Sequence, residues 1–314
     1  MSALFQELGR YLAIRRSLGY SLGTSERVLR RFIGFAERQG DDRVSTDLFL
    51  RWQAVYGQAN RQTWARRLGI VRLFAQWLHG LDAKHEVPPQ DLIPRRYSRS
   101  RPYTYSEEEI RRIVLAASEL PSVNGLRAPT YATLFGLIAV TGLRVSEAIS
   151  LGVDDIDTEA GVLTVRRGKF GKERLLPLER TTTARLTSYA NERDRLLAAR
   201  PESFFISDCG KRLTDCAARY NFAVVCQNTG LRQVQKFNRH GRGPRIHDLR
   251  HTFAVRTLVS WYRAGKDPDR EMIKLTTYMG HTKPELTYWY IEAVPVLLDL
   301  ARQRAEDSLS QEAR

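Results

Sequence analysis

The chain has 314 residues, of which 42% are hydrophobic and 10% aromatic, enough for packed cores and too many for a globally disordered polymer. Fifty Lys and Arg against 35 Asp and Glu leave a net charge of +15, the balance of a folded protein that meets a polyanion, nucleic acid foremost. Cys209, Cys216 and Cys226 form no CxxC pair, which argues against a zinc ribbon or a disulfide framework and for a reducing compartment. No apolar run reaches the length of a membrane span, and arginines interrupt the first residues where a secretory signal needs its apolar core. A cytoplasmic, nucleoid-associated protein is expected.

Residues 1–92 read as a small all-helical domain. Leu4, Leu8, Tyr11 and Leu12 recur at helical spacing, and a second helix is predicted from Thr24 to Gln39 with Val28, Phe32, Phe35 and Ala36 inward. Ser45 or Thr46 caps a third helix that holds Leu48, Leu50, Trp52 and Val55. A fourth, from Gln62 to His79, buries Trp64, Leu68, Val71, Phe74 or Ala75, and Leu78; Gly40 and Gly80 stop the helices they follow. On the fourth helix Arg61, Arg66, Arg67 and Arg72 are not interleaved with acids, and beside the net charge we read them as facing DNA. The stretch VPPQDLIPRRYSRSRPYTY, residues 87–105, carries four prolines and Arg95, Arg96, Arg99 and Arg101 without helical period. It is expected to be an extended basic linker, its core at 93–105, that lets two domains grip one duplex.

From residue 106 to 314 the pattern is mixed α/β. Ser106-x-x-Glu109 is a capping box. Thr130 to Val140 is an apolar helix ending at Gly142, and GVLTVRR followed by KERLLPL reads as a β-hairpin over 161–178. A helix from Thr181 to Ala198, a short strand FFIS and a helix from Thr214 to Thr229 follow. Residues 231–245 read as a basic loop, and helices fill 247–264, 270–279 and 284–304, the last broken near Pro295. The fold class is therefore mainly α with a small β-hairpin or sheet.

Chemistry concentrates in this second part. Arg144, in TGLRVSEAISL, and Arg250, in HDLRHTFAVRTL, each lie early in a predicted helix and can hold a phosphate oxygen where negative charge builds. An arginine among apolar neighbours needs a partner, and Glu147, one turn on from Arg144, is placed to orient it. His247 shares a helix face with Arg250 and can take a proton from a hydroxyl; His251 and His240 compete, but both are read as structural. His247 and His251 have the spacing of two zinc ligands, yet residue 248 is Asp and no third ligand is evident. Lys169 and Lys172, at the hairpin tip, can each protonate a departing oxygen. Tyr278, Tyr288 and Tyr290 are candidate nucleophiles, needing nearby cations and a base to act at neutral pH.

Taken in order, TGLRVSE, GKFGKERLLPL, HDLRHTFA and MGHTKPELTYWY resemble the signature of the tyrosine site-specific recombinase (phage integrase) family over residues 106–295. The resemblance implies an N-terminal helical core-binding (SAM-like) domain and a mixed α/β catalytic domain with a C-terminal exchange helix. It implies Arg144, Lys169, His247, Arg250, His281 and Tyr290 as catalytic, Glu147 as the accessory acid, and neither a metal nor another cofactor. It further implies DNA recombination through a 3′-phosphotyrosyl link, reversed by the 5′-hydroxyl of a partner strand. The implied partners are double-stranded DNA and a homo-tetramer on two DNA sites, in some sets with related recombinases, and no membrane. Residues 296–314 would be the helix passed to a neighbour. The segment SWYRAGKDPDREMIKL between Arg250 and His281 is longer than in most relatives, and the tail YWYIEAVPVLLDLA resembles transposon-encoded members.

Three competing readings are weaker. A type IB topoisomerase would share the chemistry, but the chain is short for one. An inactive DNA-binding accessory protein would not keep all six residues. A metal-dependent transposase would need Asp154, Asp155 and Asp157, which sit in a turn, where aspartates are ordinary.

Overall fold

The computed structural model describes residues 2–56, 59–94, 102–166, 173–197, 199–235, 238–281, 283 and 285–312. The chain divides into two compact units, Met1–Arg99 and Ser100–Arg314.

The first unit is four helices: α1 (Ala3–Ser17), α2 (Gly23–Gln39), α3 (Thr46–Val55) and α4 (Arg61–His79). Side-chain oxygens start three of them: Ser2 accepts from the Phe5 N–H, Ser45 from Leu48 and Asn60 from Thr63, each answering a donor the helix leaves open. Leu4, Leu8, Tyr11 and Leu12 of α1 are buried. In α2 the buried set is Leu29, Phe32, Ile33, Phe35 and Ala36, with Val28 packed at its margin. In α3 the inward stripe is Leu48, Phe49 and Trp52, whereas Leu50 and Val55 of the same helix are exposed. At 100° per residue Leu50 falls away from that stripe, whereas Val55, seven residues after Leu48, lies on its side but is the last residue of the helix and is exposed there. Phe32, Phe49, Trp52 and Trp64 meet edge to face at the centre. Val87 and Ile93, after α4, pack against the same core.

The second unit carries α5 (Glu107–Ser118), opened by a capping box in which Ser106 Oγ accepts from the Glu109 N–H and Glu109 accepts from the Ser106 N–H. Before it, Tyr105 is buried; its N–H donates to Thr252 and its hydroxyl to the Arg245 carbonyl. The apolar α6 (Arg127–Thr141) is buried nearly all round and is the hub of the unit, as a helix without a polar face must be. It leads into the short α7 (Val145–Ser150) and an antiparallel sheet of β1 (Ile156–Asp157), β2 (Val162–Val165) and β3 (Arg174–Pro177). Leu163 pairs with Leu176, both buried. Then come α8 (Arg180–Leu196), α9 (Asp215–Asn228), β4 (Gln233–Gln235), β5 (Asn238–Arg242), α10 (Ile246–Arg263), α11 (Pro268–Met279), α12 (Glu285–Ala293) and α13 (Pro295–Glu312). A satellite core of Ala254, Leu258, Met272, Leu275, Tyr290 and Leu297 joins the last four helices.

The fold class is as expected, mainly helical with a small sheet. Two local expectations fail. FFIS is not a strand: Phe204 and Phe205 are buried, and only Ser203 and Ile206 make single bridges, to Gly152 and Arg212. The apolar run is explained by burial between helices rather than by ladder formation. Conversely, the expected basic loop over 231–245 contains the two-stranded pairing of β4 with β5; its polar residues hide the alternation by which strands are recognised.

Candidate active site

Four segments converge. Gly142 ends α6 in the left-handed region, φ 63°, and a Cβ there would come within 2.5 Å of the Phe253 ring. Only glycine fits both constraints. Its carbonyl accepts from Arg250 Nη1 at 2.6 Å, while Arg250 Nη2 donates to the Met279 carbonyl at 2.7 Å. Arg250 is buried. A guanidinium has five N–H groups, so two are consumed in fixing it and three remain. Burial, then the charge of Arg144, lowers its pKa to about 10, so it stays a cation at neutral pH.

Arg144 precedes α7 and is held in the same manner. Its Nη1 donates to Glu147 at 2.6 Å and its Nη2 to the Gly280 carbonyl at 2.9 Å. Glu147 is nearly fully buried, as the apolar flanks of TGLRVSEAISL suggested, and its other partner is Arg174, which donates to both carboxylate oxygens at 3.2 and 2.8 Å. Arg174 also donates through Nε to the Tyr278 carbonyl. Burial alone would raise the Glu147 pKa. The Arg174 hydrogen bonds, the Arg144 N–H and both guanidinium charges outweigh it and hold the carboxyl at about 2. Gly280, φ 62°, packs so closely on Arg174 that a Cβ would lie 2.9 Å from its Nη1.

The histidines sit on the same cluster. His281 Nδ1 is 2.7 Å from the Thr287 hydroxyl, and burial followed by the charges of Arg250 and Arg144 lowers its pKa to about 3. His247 is lowered to about 4 by burial and Arg250. His251 stacks edge to face on His247 and is lowered to about 4 by burial and by that neighbour. All three are therefore neutral at neutral pH. The buried Tyr290 places its hydroxyl 2.8 Å from His251 Nδ1. His251, expected to pack or hydrogen-bond within the domain, is thus the histidine that holds the tyrosine oxygen.

Arg174 escapes sequence reasoning and His251 is weighed there only as a structural residue, yet each has a signal. Arg174 is two residues before the buried Leu176, so the period of a strand puts its charge on the inner face, where it requires a partner. His251 is one turn beyond His247, on the face that already carried the candidates. Lys169, Lys172, Arg95, Arg96, Arg99 and Arg101 lie outside the described residues. Arg61 and Arg66 are exposed and Arg67 and Arg72 half-buried on α4. The three aspartates weighed as a metal site are engaged separately: Asp155 with the Gly152 N–H and Arg166, Asp154 with Arg200, and Asp157 with the N–H groups of Glu159 and Ala160. No cluster of three His, Cys, Asp or Glu able to hold a metal occurs among the described residues.

Two arginines fixed by carbonyls and a carboxylate, three neutral histidines and a buried tyrosine make a site for a phosphodiester. Residues 104–295 match the Phage integrase family. The protein y4rB of Sinorhizobium fredii, described as an integrase/recombinase, is 40% identical over 311 residues and 98% of both chains. The tyrosine recombinase XerC of Chlamydia caviae is 26% identical over 249 residues, covering 79% of this chain and 72% of its own. Among solved structures, the Tn1549 transposon integrase in complex with transposon right end DNA superposes with a TM-score of 0.66 at 16% identity, over 98% of this chain and 99% of that one. The chain belongs to the phage integrase family of tyrosine recombinases. It is an enzyme of site-specific recombination, breaking and rejoining DNA strands.

Proposed function

We propose that Tyr290 is the nucleophile of this recombinase and that Arg144 and Arg250 bind the scissile phosphate through the N–H groups their carbonyl partners leave free. The observation that carries this is the pairing of Tyr290 with His251 beside two arginines whose orientation is fixed from behind. The tyrosine oxygen attacks phosphorus, its proton passes to the neutral His251, and the 5′ oxygen departs with a proton. Lys169 is the donor that the family resemblance assigns. His247 and His281 hydrogen-bond the non-bridging oxygens, and the arginines' charge acts most where negative charge develops. The 3′-phosphotyrosyl link keeps the bond energy, so a 5′-hydroxyl from a partner strand can reverse the step without another cofactor.

Arg61, Arg66, Arg67 and Arg72 of the first unit, and the arginines of 95–101, supply the contacts to the DNA backbone. The working form is a tetramer on two DNA sites, in which α13 exchanges between neighbours. In the single chain α13 packs on its own unit through Leu297, while Val296 and Leu298 stay exposed.

The test is a covalent adduct on a nicked duplex taken from the DNA flanking the gene. Tyr290→Phe should abolish the adduct while duplex binding persists, and Tyr288→Phe should retain it. The reverse result would move the nucleophile by two residues.

A further inference from the structure

The first unit contains a cavity of about 200 Å³ between α2, α3 and α4, lined by Arg27, Arg31, Trp52, Tyr56, Arg66 and Arg67 among others. No acidic side chain lines it, and none of the four arginines forms a salt bridge among the described residues. The acid nearest in sequence, Glu26, is taken by Arg16 and Arg30. The threonines Thr24 and Thr63 add hydroxyls to the wall.

Two donors here are buried and unanswered. Trp52 is 1% exposed, and its indole Nε1 has no hydrogen-bond partner among the described residues; nor has Arg67 Nη1. A buried N–H without an acceptor is costly, and two on residues that line one small cavity call for an acceptor from outside. Arg67 is held in place by the Trp64 ring, 4.4 Å beneath its guanidinium carbon, a contact that fixes the plane of the fork. The cavity is smaller than the roughly 300–1,000 Å³ typical of pockets for drug-sized ligands. It suits a phosphate group rather than a whole nucleotide.

We propose that this cavity, lined also by Arg27, Arg31 and Arg66, is a phosphate seat, filled by a single phosphodiester of the DNA backbone that accepts from Arg67 and the Trp52 indole. The seat rests on the assignment of α4 as DNA-facing and goes beyond it by naming the side chains that take the phosphate inside the unit instead of on its surface. Tetrahedral oxygens offer acceptors in several directions, which matches a fork and an indole N–H approaching from different helices.

Two measurements on the full-length protein test it. Inorganic phosphate, exchanged for chloride at constant ionic strength, should raise the thermal midpoint of the wild type and of Arg10→Gln, but not of Arg67→Gln or Trp52→Phe. With a duplex, the log–log salt slope of Arg67→Gln should be shallower by about 0.9, the value of one phosphate contact. Between 50 and 200 mM salt the variant should then lose about 3.5-fold less affinity than the wild type. Trp52→Phe keeps an aromatic ring and serves if Arg67→Gln fails to fold. Equal phosphate response in all proteins overturns the seat. A phosphate response confined to the wild type and Arg10→Gln, with no change of slope, overturns the DNA backbone as its source. The adduct formed through Tyr290 is scored separately, so a failed seat with intact adduct leaves the recombinase assignment standing.

Discussion

Replacing Arg174 by methionine probes the ion cluster behind the site. Glu147 is 3% exposed and its carboxyl lies at about 2 rather than 4.5. At 1.36 kcal/mol per pKa unit, the fold favours the ionised form by about 3 kcal/mol relative to the unfolded chain. Arg174 supplies two of the hydrogen bonds behind that preference and carries an 11% exposed side chain, so solvent screens it little. Breaking a buried pair by removing one partner typically destabilises by about 3–5 kcal/mol, and Arg174→Met is expected to lose about 3 kcal/mol in urea unfolding at pH 7. Glu147→Gln should remove the pH dependence that belongs to this carboxyl. Because the folded pKa is depressed, that stability is fully present above about 4.5 and is lost as pH falls toward 2. The gap between wild type and Glu147→Gln should therefore close over that interval. A loss below about 0.5 kcal/mol for Arg174→Met, or a gap that stays constant with pH, would refute the account of the cluster.

Other outcomes follow from the same geometry. His251→Ala should slow adduct formation by about 10²-fold or more, the usual contribution of a positioned base, with duplex affinity unchanged within twofold; a larger effect from His247→Ala alone would make His247 the proton acceptor. The folded pKa values of about 4 for His247 and His251 and about 3 for His281 lie below the ordinary 6.5. Their contribution to stability is thus present above 6.5 and lost as pH falls toward 4; urea midpoints measured from pH 7.5 to 4 should drop, and replacing His251 with Gln should flatten the drop. Cleavage should survive excess EDTA, since guanidinium groups supply the charge that divalent ions supply in two-metal nucleases. In the same assay Arg144→Ala should lower the rate far more than binding, and adduct formation that needs magnesium would overturn the mechanism.

The sequence by itself determined the helices of the first unit, the hairpin, the caps at Ser45 and Ser106, and the residue types of the site. Each is written locally, in a 3.6-residue stripe, a two-residue alternation, or an oxygen-bearing side chain before an apolar run. The Arg144–Glu147 pair was visible for the same reason, since three residues on one helical turn are neighbours in any fold. Tertiary structure decided which partner each charge took. Arg250 reaches the Gly142 and Met279 carbonyls, Arg174 reaches Glu147 across 27 residues, and Tyr290 meets His251 across 39. No local pattern encodes such distances. They follow from packing α10 on α6, and α11 and α12 on α10, where burial makes every charge and hydroxyl find a partner or pay the full desolvation penalty. That requirement, acting only once the chain is folded, selected His251 rather than His247 to hold the tyrosine oxygen and turned a strand-edge arginine into the support of the site.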